Sequence, residues 1–275
     1  MKNQLIKIGG GQLIEDDYLS ELLRYQEQFK NVESVRDLIG QVVEAIQALA
    51  QGYLPPALPF LEINENMVGD VQKAVVEEFP NDPVKGNQRW EELIDALEEL
   101  DYQLHHFRDF LIEQFSMYGY VSTPWIQEVA KYLHGRSVLE LMAGHGYLTA
   151  GLRAINPEQK IIAVDNEDWR NQPDPTHAKP VTDIEVLDAL TAVNKYAQEV
   201  EVIVISWAPD TDETDWQILE QLRNDFAGEI LIVGEYQGAT NSRRFWNEAK
   251  LTELEKINQK FPSFDLIDEK MHRVE

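Results

Sequence analysis

Cysteine is absent from the sequence, which excludes disulfides, thiolate metal sites and a cysteine nucleophile. Long apolar runs are missing too, since no stretch approaches the roughly 18 to 20 apolar residues needed to cross a bilayer. The opening MKNQLIKIGGGQLIEDD has no apolar core of the kind that heads a secretory leader. These lacks set the expectation of a cytoplasmic protein with no membrane contact. Positive charge is scarce: 24 Lys and Arg stand against 49 Asp and Glu, a formal net charge of −25 spread over both halves of the chain. A surface so acidic repels phosphate backbones and gains nothing from counterion release, which argues against a nucleic-acid partner.

What is present is enough apolar material, 43% of 275 residues, for a full core and two structural units. Up to about residue 121 the periodicity is helical. Asp16 or Asp17 can cap a helix carrying Leu19, Leu22, Leu23 and Phe29, and Ser34 a second one from Val35 to Leu49 that ends at Gly52. The stretches GYLPPALPF and PNDPVKGNQ bracket a shorter helix around Val68 to Phe79. After Asn87, the residues Trp90, Leu93, Leu97, Leu100, Leu104, Phe107 and Leu111 follow one another in alternating steps of three and four, a heptad seam. Such a seam needs cover. The chain's own helices are the first expectation, and a homodimer contact is the second.

From Thr123 the character changes. Thr123 as cap, Pro124 at the first helical position and Gly135 at the end delimit a short helix. Strand and helix patterns then alternate. Strands are expected at 138–142, 160–164, 200–207, 229–234 and 264–267, and helices at 148–155, 190–196, 216–226 and 244–261. Continuous β-branched runs between helices indicate a parallel sheet covered on both faces. The expected organisation is an all-helical N-terminal domain at 1–121, acting as lid, substrate contact or dimer contact, and an α/β domain at 122–275.

In such sheets ligands lie at the carboxyl ends of the strands. The first strand runs into VLELMAGHGYLT, in which Gly144 and Gly146 let the backbone approach a ligand that a Cβ would push away. The second ends in Val164-Asp165-Asn166, an acid placed to accept from two ribose hydroxyls. A dinucleotide fingerprint asks for a third glycine three residues after Gly146, and Thr149 stands there instead.

VLELMAGHGYLT resembles the first motif of the class I S-adenosylmethionine-dependent methyltransferases, with Glu140 as its acid, Gly144 and Gly146 as its last two glycines, and Met142 in place of its first. The segments YGYVSTP at 118–124 and GEYQG at 234–238 look like pieces of a bacterial and plant branch of that family. The resemblance implies a Rossmann-like, doubly wound, mostly parallel sheet of the methyltransferase type. It further implies S-adenosylmethionine as cofactor, its amino-acid end against Glu140 and the backbone of Met142, Ala143, Gly144 and Gly146. Its ribose would lie on Asp165 beside Asn166, and its adenine amine near Asp188 in EVLDAL. Ser206-Trp207-Ala208-Pro209 stands loosely for the fourth-strand motif, with Trp207 as a wall of the site, and Glu235 at the end of the fifth strand is the one acid nominated to take a proton.

Each residue also has a plain structural reading. Asp188 can merely cap the helix that follows it, Glu235 can hold its own loop, and Met142 and Trp207 can belong to the core. His145 and His177 show no metal-ligand spacing, and the adjacent His105 and His106 cannot share one helix face, so no metal site is expected. The function expected is methyl transfer to a neutral or cationic small molecule or a basic protein segment. Two rivals stay open. One is a methyltransferase-like module that binds or assembles without turnover, favoured by Met142, by the loose SWAP motif and by a C-terminal stretch too short for the usual closing strand pair. The other is a dinucleotide-dependent oxidoreductase, disfavoured by Thr149.

Overall fold

The computed structural model describes residues 4–12, 14, 17–171, 178–223 and 225–275. The helical half comprises α1 (Asp17–Gln28), α2 (Glu33–Ala50), α3 (Glu65–Glu78), α4 (Pro83–His105) and α5 (Phe107–Phe115). Helix α2 starts at Glu33, so Ser34 is not its cap; the Ser34 hydroxyl donates to Asp70 on α3 at 2.7 Å. Helix α4 starts earlier than the pattern after Asn87 implies. Asp82 caps it by accepting from the Lys85 N–H at 3.1 Å, and Pro83 takes the first position, where its missing N–H costs nothing. Gly52 ends α2 as expected, with φ at 77°.

The heptad seam is buried within the chain. Leu93, Leu97, Leu100, Leu104, Phe107 and Leu111 are each 3% exposed or less, and α4 packs against α1 and α3. At roughly 1.5–3 kcal/mol for each such side chain, this seam is a major part of the helical core. The helix itself breaks at His106, between α4 and α5. A three-residue step from Leu104 to Phe107 keeps both on the same side across the break.

Helix α6 (Thr123–Leu133) begins the second half. Thr123 is its first residue and not a side-chain cap. Its hydroxyl donates to the Leu54 carbonyl at 3.0 Å and accepts from the Ile6 N–H at 3.2 Å, and its own N–H donates to the Pro55 carbonyl at 2.8 Å. Thr123 thus straps α6 to the proline-bearing stretch.

The remaining elements are β1 (Val138–Leu141), α7 (Tyr147–Ile155), β2 (Ile161–Asp165), β3 (Glu185–Val186), α8 (Ala189–Tyr196), β4 (Val202–Ser206), α9 (Thr214–Leu222), β5 (Glu229–Glu235), α10 (Arg243–Glu248), β6 (Leu251–Glu253), α11 (Glu255–Asn258) and β7 (Glu269–Val274). They form one seven-stranded sheet in the order β3-β2-β1-β4-β5-β7-β6. The first five strands are mutually parallel, and β7 runs antiparallel to both neighbours. This is a Rossmann-like, doubly wound sheet behind a helical N-terminal half. Two expectations are corrected at its far edge. Residues 244–261 are not one helix, and the last strand is not 264–267. The closing pair forms because its first strand, β6, lies upstream within the expected helix, and only β7 occupies the stretch judged too short for both.

Alternation along the strands divides the core. Val138, Val202, Val204, Leu231 and Val233 face α6 and α7 and join one hydrophobic cluster with the helical half; Leu139, Leu141, Ile203, Ile205 and Ile232 face α8, α9 and α10 in a second. The first cluster runs unbroken past residue 121, where the architecture changes.

Candidate functional site

The strand order reverses between β1 and β4, the place where an open α/β sheet forms its crevice. A cavity of about 500 Å³ opens there, lined from the ends of β1, β2 and β4 and from residues 116–121 of the helical half. That volume suits a small molecule or a cofactor.

The turn after β1 shapes its floor. Backbone φ is positive at Met142 (58°), Gly144 (54°) and Gly146 (81°). Left-handed backbone costs a side-chain-bearing residue roughly 1–2 kcal/mol, so Met142 is held there by its surroundings. The glycines have different reasons. A Cβ on Gly144 would meet nothing within 4 Å, whereas one on Gly146 would come 2.8 Å from Thr182 and 2.9 Å from Ile184. Gly144 therefore faces the open cavity, and Gly146 permits close packing on 182–184. Ala143 lines the cavity and donates its N–H to the Val164 carbonyl at 3.0 Å, which fastens the turn to β2.

Glu140 lies beneath this turn, 1% exposed. One carboxylate oxygen accepts from the Thr149 hydroxyl on α7, the other from the Ser206 hydroxyl at the end of β4 at 3.0 Å. Burial pushes its carboxyl up to about 7, against the lowering effect of those two hydroxyls. It is a buried acid at the cavity wall, and both hydrogen-bond partners are neutral.

Asp165 closes β2 and is buried. Its oxygens accept from the Gly144 N–H and the Glu167 N–H, both at 2.7 Å. Burial raises its pKa, and these amides oppose the rise. A carboxylate has about four acceptor directions, so two bonds leave capacity for further donors. Asn166 also lines the cavity and brackets Asp168, donating to its carboxylate at 2.6 Å and accepting from its N–H at 3.0 Å. Asp188 caps α8 by accepting from the Thr191 N–H at 2.9 Å, and it also lines the cavity.

Trp207, at the end of β4 with φ 44°, forms part of the wall and donates its indole N–H to Glu269 at 2.7 Å. Glu235 stands apart. It is not among the cavity-lining residues, and its carboxylate accepts from the Ala239 N–H at 2.6 Å within its own loop. Gly238 is needed there because a Cβ would come 1.9 Å from the Glu235 carboxyl carbon.

Three features escaped the sequence reading. Thr149 stood only as a mismatch to a glycine, although a hydroxyl nine residues after the motif acid is what holds that acid. Ser206 was named in a motif without its part as the second donor. Trp169, four residues beyond Asp165, lines the cavity and packs against the His145 ring, with centroids 4.4 Å apart and the planes tilted by 43°. An aromatic residue just past the acid that closes a strand is the signal that would have found it. Both the Trp169 indole nitrogen and His145 Nδ1 are buried without a hydrogen-bond partner, and burial lowers the His145 pKa. His177 lies outside the described residues.

The electrostatics are one-sided. Glu140, Asp165, Asp168, Asp188 and Asp212 all line the cavity, and among its described lining residues there is no Lys or Arg. Such a site attracts a cation and repels a phosphate.

No family model matches the chain, and no curated protein matches it. Among solved structures it is similar to the plantazolicin methyltransferase BpumL in complex with SAH, at 15% identity and TM-score 0.30, over 62% of this chain and 61% of that one. The chain thus spans less than two thirds of that protein. It is also similar to human N-acetylserotonin methyltransferase in complex with SAM, at 13% identity and TM-score 0.35 over 96% of this chain and 72% of the other. The pyocyanin biosynthetic protein PhzM overlaps at 12% identity and TM-score 0.38, over 94% and 93%. Overlaps at TM-scores this low carry no weight for fold or activity beside the geometry above.

Proposed function

We propose that the chain binds S-adenosylmethionine in the switch-point cavity and transfers its methyl group to a small-molecule or protein acceptor. One observation carries this reading: five carboxylates, and among the described residues no Lys or Arg, line the cavity. S-adenosylmethionine presents a sulfonium and an ammonium, which that field favours. The pyrophosphate of a dinucleotide would enter a field of its own sign, so the oxidoreductase reading loses ground.

The residues present fit the group. Glu140, raised by burial and lacking a cationic partner, suits the ammonium; the open face of Gly144 suits close approach by the amino-acid end. Asp165 has acceptor capacity for ribose hydroxyls, and Asn166, Asp188 and the Trp169 face suit the adenine side. When bound, the cofactor supplies an electrophilic methyl on a cationic sulfur. The chain's own work is then to hold the reactants in line and exclude water, a task for Trp207 and the 116–121 segment that roof the cavity. Glu235 points into its own loop, so no residue is assigned the acceptor's proton. The acidic lining favours a neutral or cationic acceptor.

A binding module without turnover is the second reading, and the strained Met142 at a glycine position favours it. Melting curves with S-adenosylmethionine, S-adenosylhomocysteine and NAD test the cofactor. Ligand at 100 times its dissociation constant stabilises by about 2.7 kcal/mol, a rise of roughly 5–10 °C for a chain this long, and NAD gives none. No rise with millimolar sulfonium or thioether would remove the proposal. Label transfer from methyl-labelled cofactor across amine and hydroxyl acceptors separates the enzyme from the module.

A further inference from the structure

We propose, resting on the reading of this cavity as the cofactor and acceptor site, that Arg108 in the helical half is a positioning residue that fixes the indole of Trp207 through Glu269 and the facing 118–119 backbone through the Tyr118 carbonyl. Trp207 needs holding. Its φ of 44° is unfavourable for a bulky side chain, and such a conformation persists only where the surroundings over-determine it. Three contacts supply that. Its N–H donates to the Val233 carbonyl at 2.8 Å, its indole N–H donates to Glu269 at 2.7 Å, and its ring lies so close to Gly119 that a Cβ there would sit 2.2 Å from two ring carbons.

Glu269 opens β7 and is only 5% exposed, so its carboxylate needs a positive partner. Arg108 on α5 provides it from Nη2 at 3.1 Å. The rest of the guanidinium is equally committed. Nε and Nη2 donate to Asp265 at 2.5 and 3.1 Å, Nη1 donates to the Tyr118 carbonyl at 2.6 Å, and the plane lies 4.8 Å from the Phe264 ring centroid. A planar fork bonded in three directions cannot swing, which a lysine ammonium could not reproduce. Tyr118, Gly119 and Trp207 all line the cavity. One side chain of the helical half therefore holds two sides of the cavity roof, and its loss frees the indole to leave its strained pose.

The test reads the indole directly and then the ligand. Arg108→Met keeps the stem and removes the fork. Exchange of the Trp207 indole proton, assigned by its loss in Trp207→Phe, should speed up at least tenfold in Arg108→Met while the other indole protons keep their rates. The dissociation constant for S-adenosylhomocysteine should rise about tenfold in Arg108→Met and in Trp207→Phe, and the double variant should be no weaker than either single one, because both break one chain of contacts. If Arg108→Met fails to fold, Arg108→Lys keeps the charge beside Glu269 and should still release the indole, with exchange at least threefold faster. Unchanged Trp207 exchange in the folded variant overturns the proposal, as do two losses of affinity that multiply. A wild-type protein that binds no S-adenosylhomocysteine, yet whose Trp207 proton still answers to Arg108, would remove the cofactor reading and leave the clamp standing.

Discussion

Replacing Glu140 by Gln should make the ligand-free protein more stable and the ligand-bound protein weaker. In the folded chain the carboxyl is pushed up to about 7 by burial, against an ordinary value of 4.5. The folded state thus holds this proton more tightly than the unfolded one. Stability from this group is full below the unfolded value, falls as pH rises from about 4.5 to about 7, and stays low above that. A difference of about 2.5 units corresponds to roughly 3 kcal/mol of cost at pH 8. Glutamine carries no charge to desolvate. Its oxygen keeps one of the hydroxyl donors, Thr149 or Ser206, and the other hydroxyl can turn to accept from the amide. The variant should therefore melt roughly 6–12 °C higher than wild type at pH 8 without ligand, at roughly 2–4 °C per kcal/mol for a chain of this length, and the gap should close by pH 4.5. The same change removes the charge proposed to face the ammonium. A hydrogen bond to a charged group is worth roughly 1.5–3 kcal/mol, so cofactor affinity at pH 8 should fall about 10- to 100-fold. Thermal melts from pH 4.5 to 9 and calorimetric titration of both proteins measure the two effects. Melting curves that stay parallel across that range would refute the assignment of Glu140 as a buried, uncompensated acid.

Three other outcomes follow from the same geometry. Thr149→Val removes one donor to Glu140 at constant shape and should destabilise by about 1 kcal/mol at pH 5 and by roughly 2–3 kcal/mol at pH 8, where the acid is charged; equal losses in denaturant melts at the two pH values would contradict the pairing. Asp165→Ala should weaken cofactor binding by about 2 kcal/mol or more and also lower the melting point, since the Gly144 and Glu167 amides lose their acceptor; unchanged affinity in calorimetry would place the ribose elsewhere. Leu97→Asp with Leu104→Asp puts two charges at positions 3% and 1% exposed and should abolish cooperative unfolding, so a well-folded monomer by light scattering and melting would mean the seam is not the core it appears in these contacts.

The sheet was legible because largely apolar, continuously buried strands leave little choice: Val138–Leu141, Val202–Ser206 and the Leu231–Gly234 part of β5 are runs that a sheet covered on both faces buries. The cavity floor was legible for a similar reason, since a glycine pair and an acid at consecutive strand ends are local patterns. The far edge was not. Leu251, Leu254, Ile257 and Phe261 carry helical spacing, yet Ala249 is extended at ψ 137° and Leu251–Glu253 pairs with β7 instead, a tertiary contact overriding local preference. Of the two readings of Glu235, the loop-holding one is what the side chain shows, because position at a strand end says nothing of side-chain direction and the Ala239 amide four residues on is its partner. Arg108 was invisible for another reason. Its partners Asp265 and Glu269 lie 157 and 161 residues away, beyond any pattern of spacing.

Met142 is where sequence and geometry pull in opposite directions, and the backbone resolves the tension. Read as a letter, it breaks the motif that VLELMAGHGYLT resembles, because the first glycine is gone. Read as a conformation, it does not: φ at 142, 144 and 146 is 58°, 54° and 81°, the alternation three glycines would adopt freely. The methionine accepts a left-handed backbone at a cost of roughly 1–2 kcal/mol. Its side chain packs against the second hydrophobic cluster, beside the strands that carry Leu141 and Ile205. Partial burial of a methionine returns a similar amount. The substitution therefore keeps the path of the turn, leaves Gly144 open to the cavity, and shifts the burden of holding that path from glycine's freedom to side-chain packing.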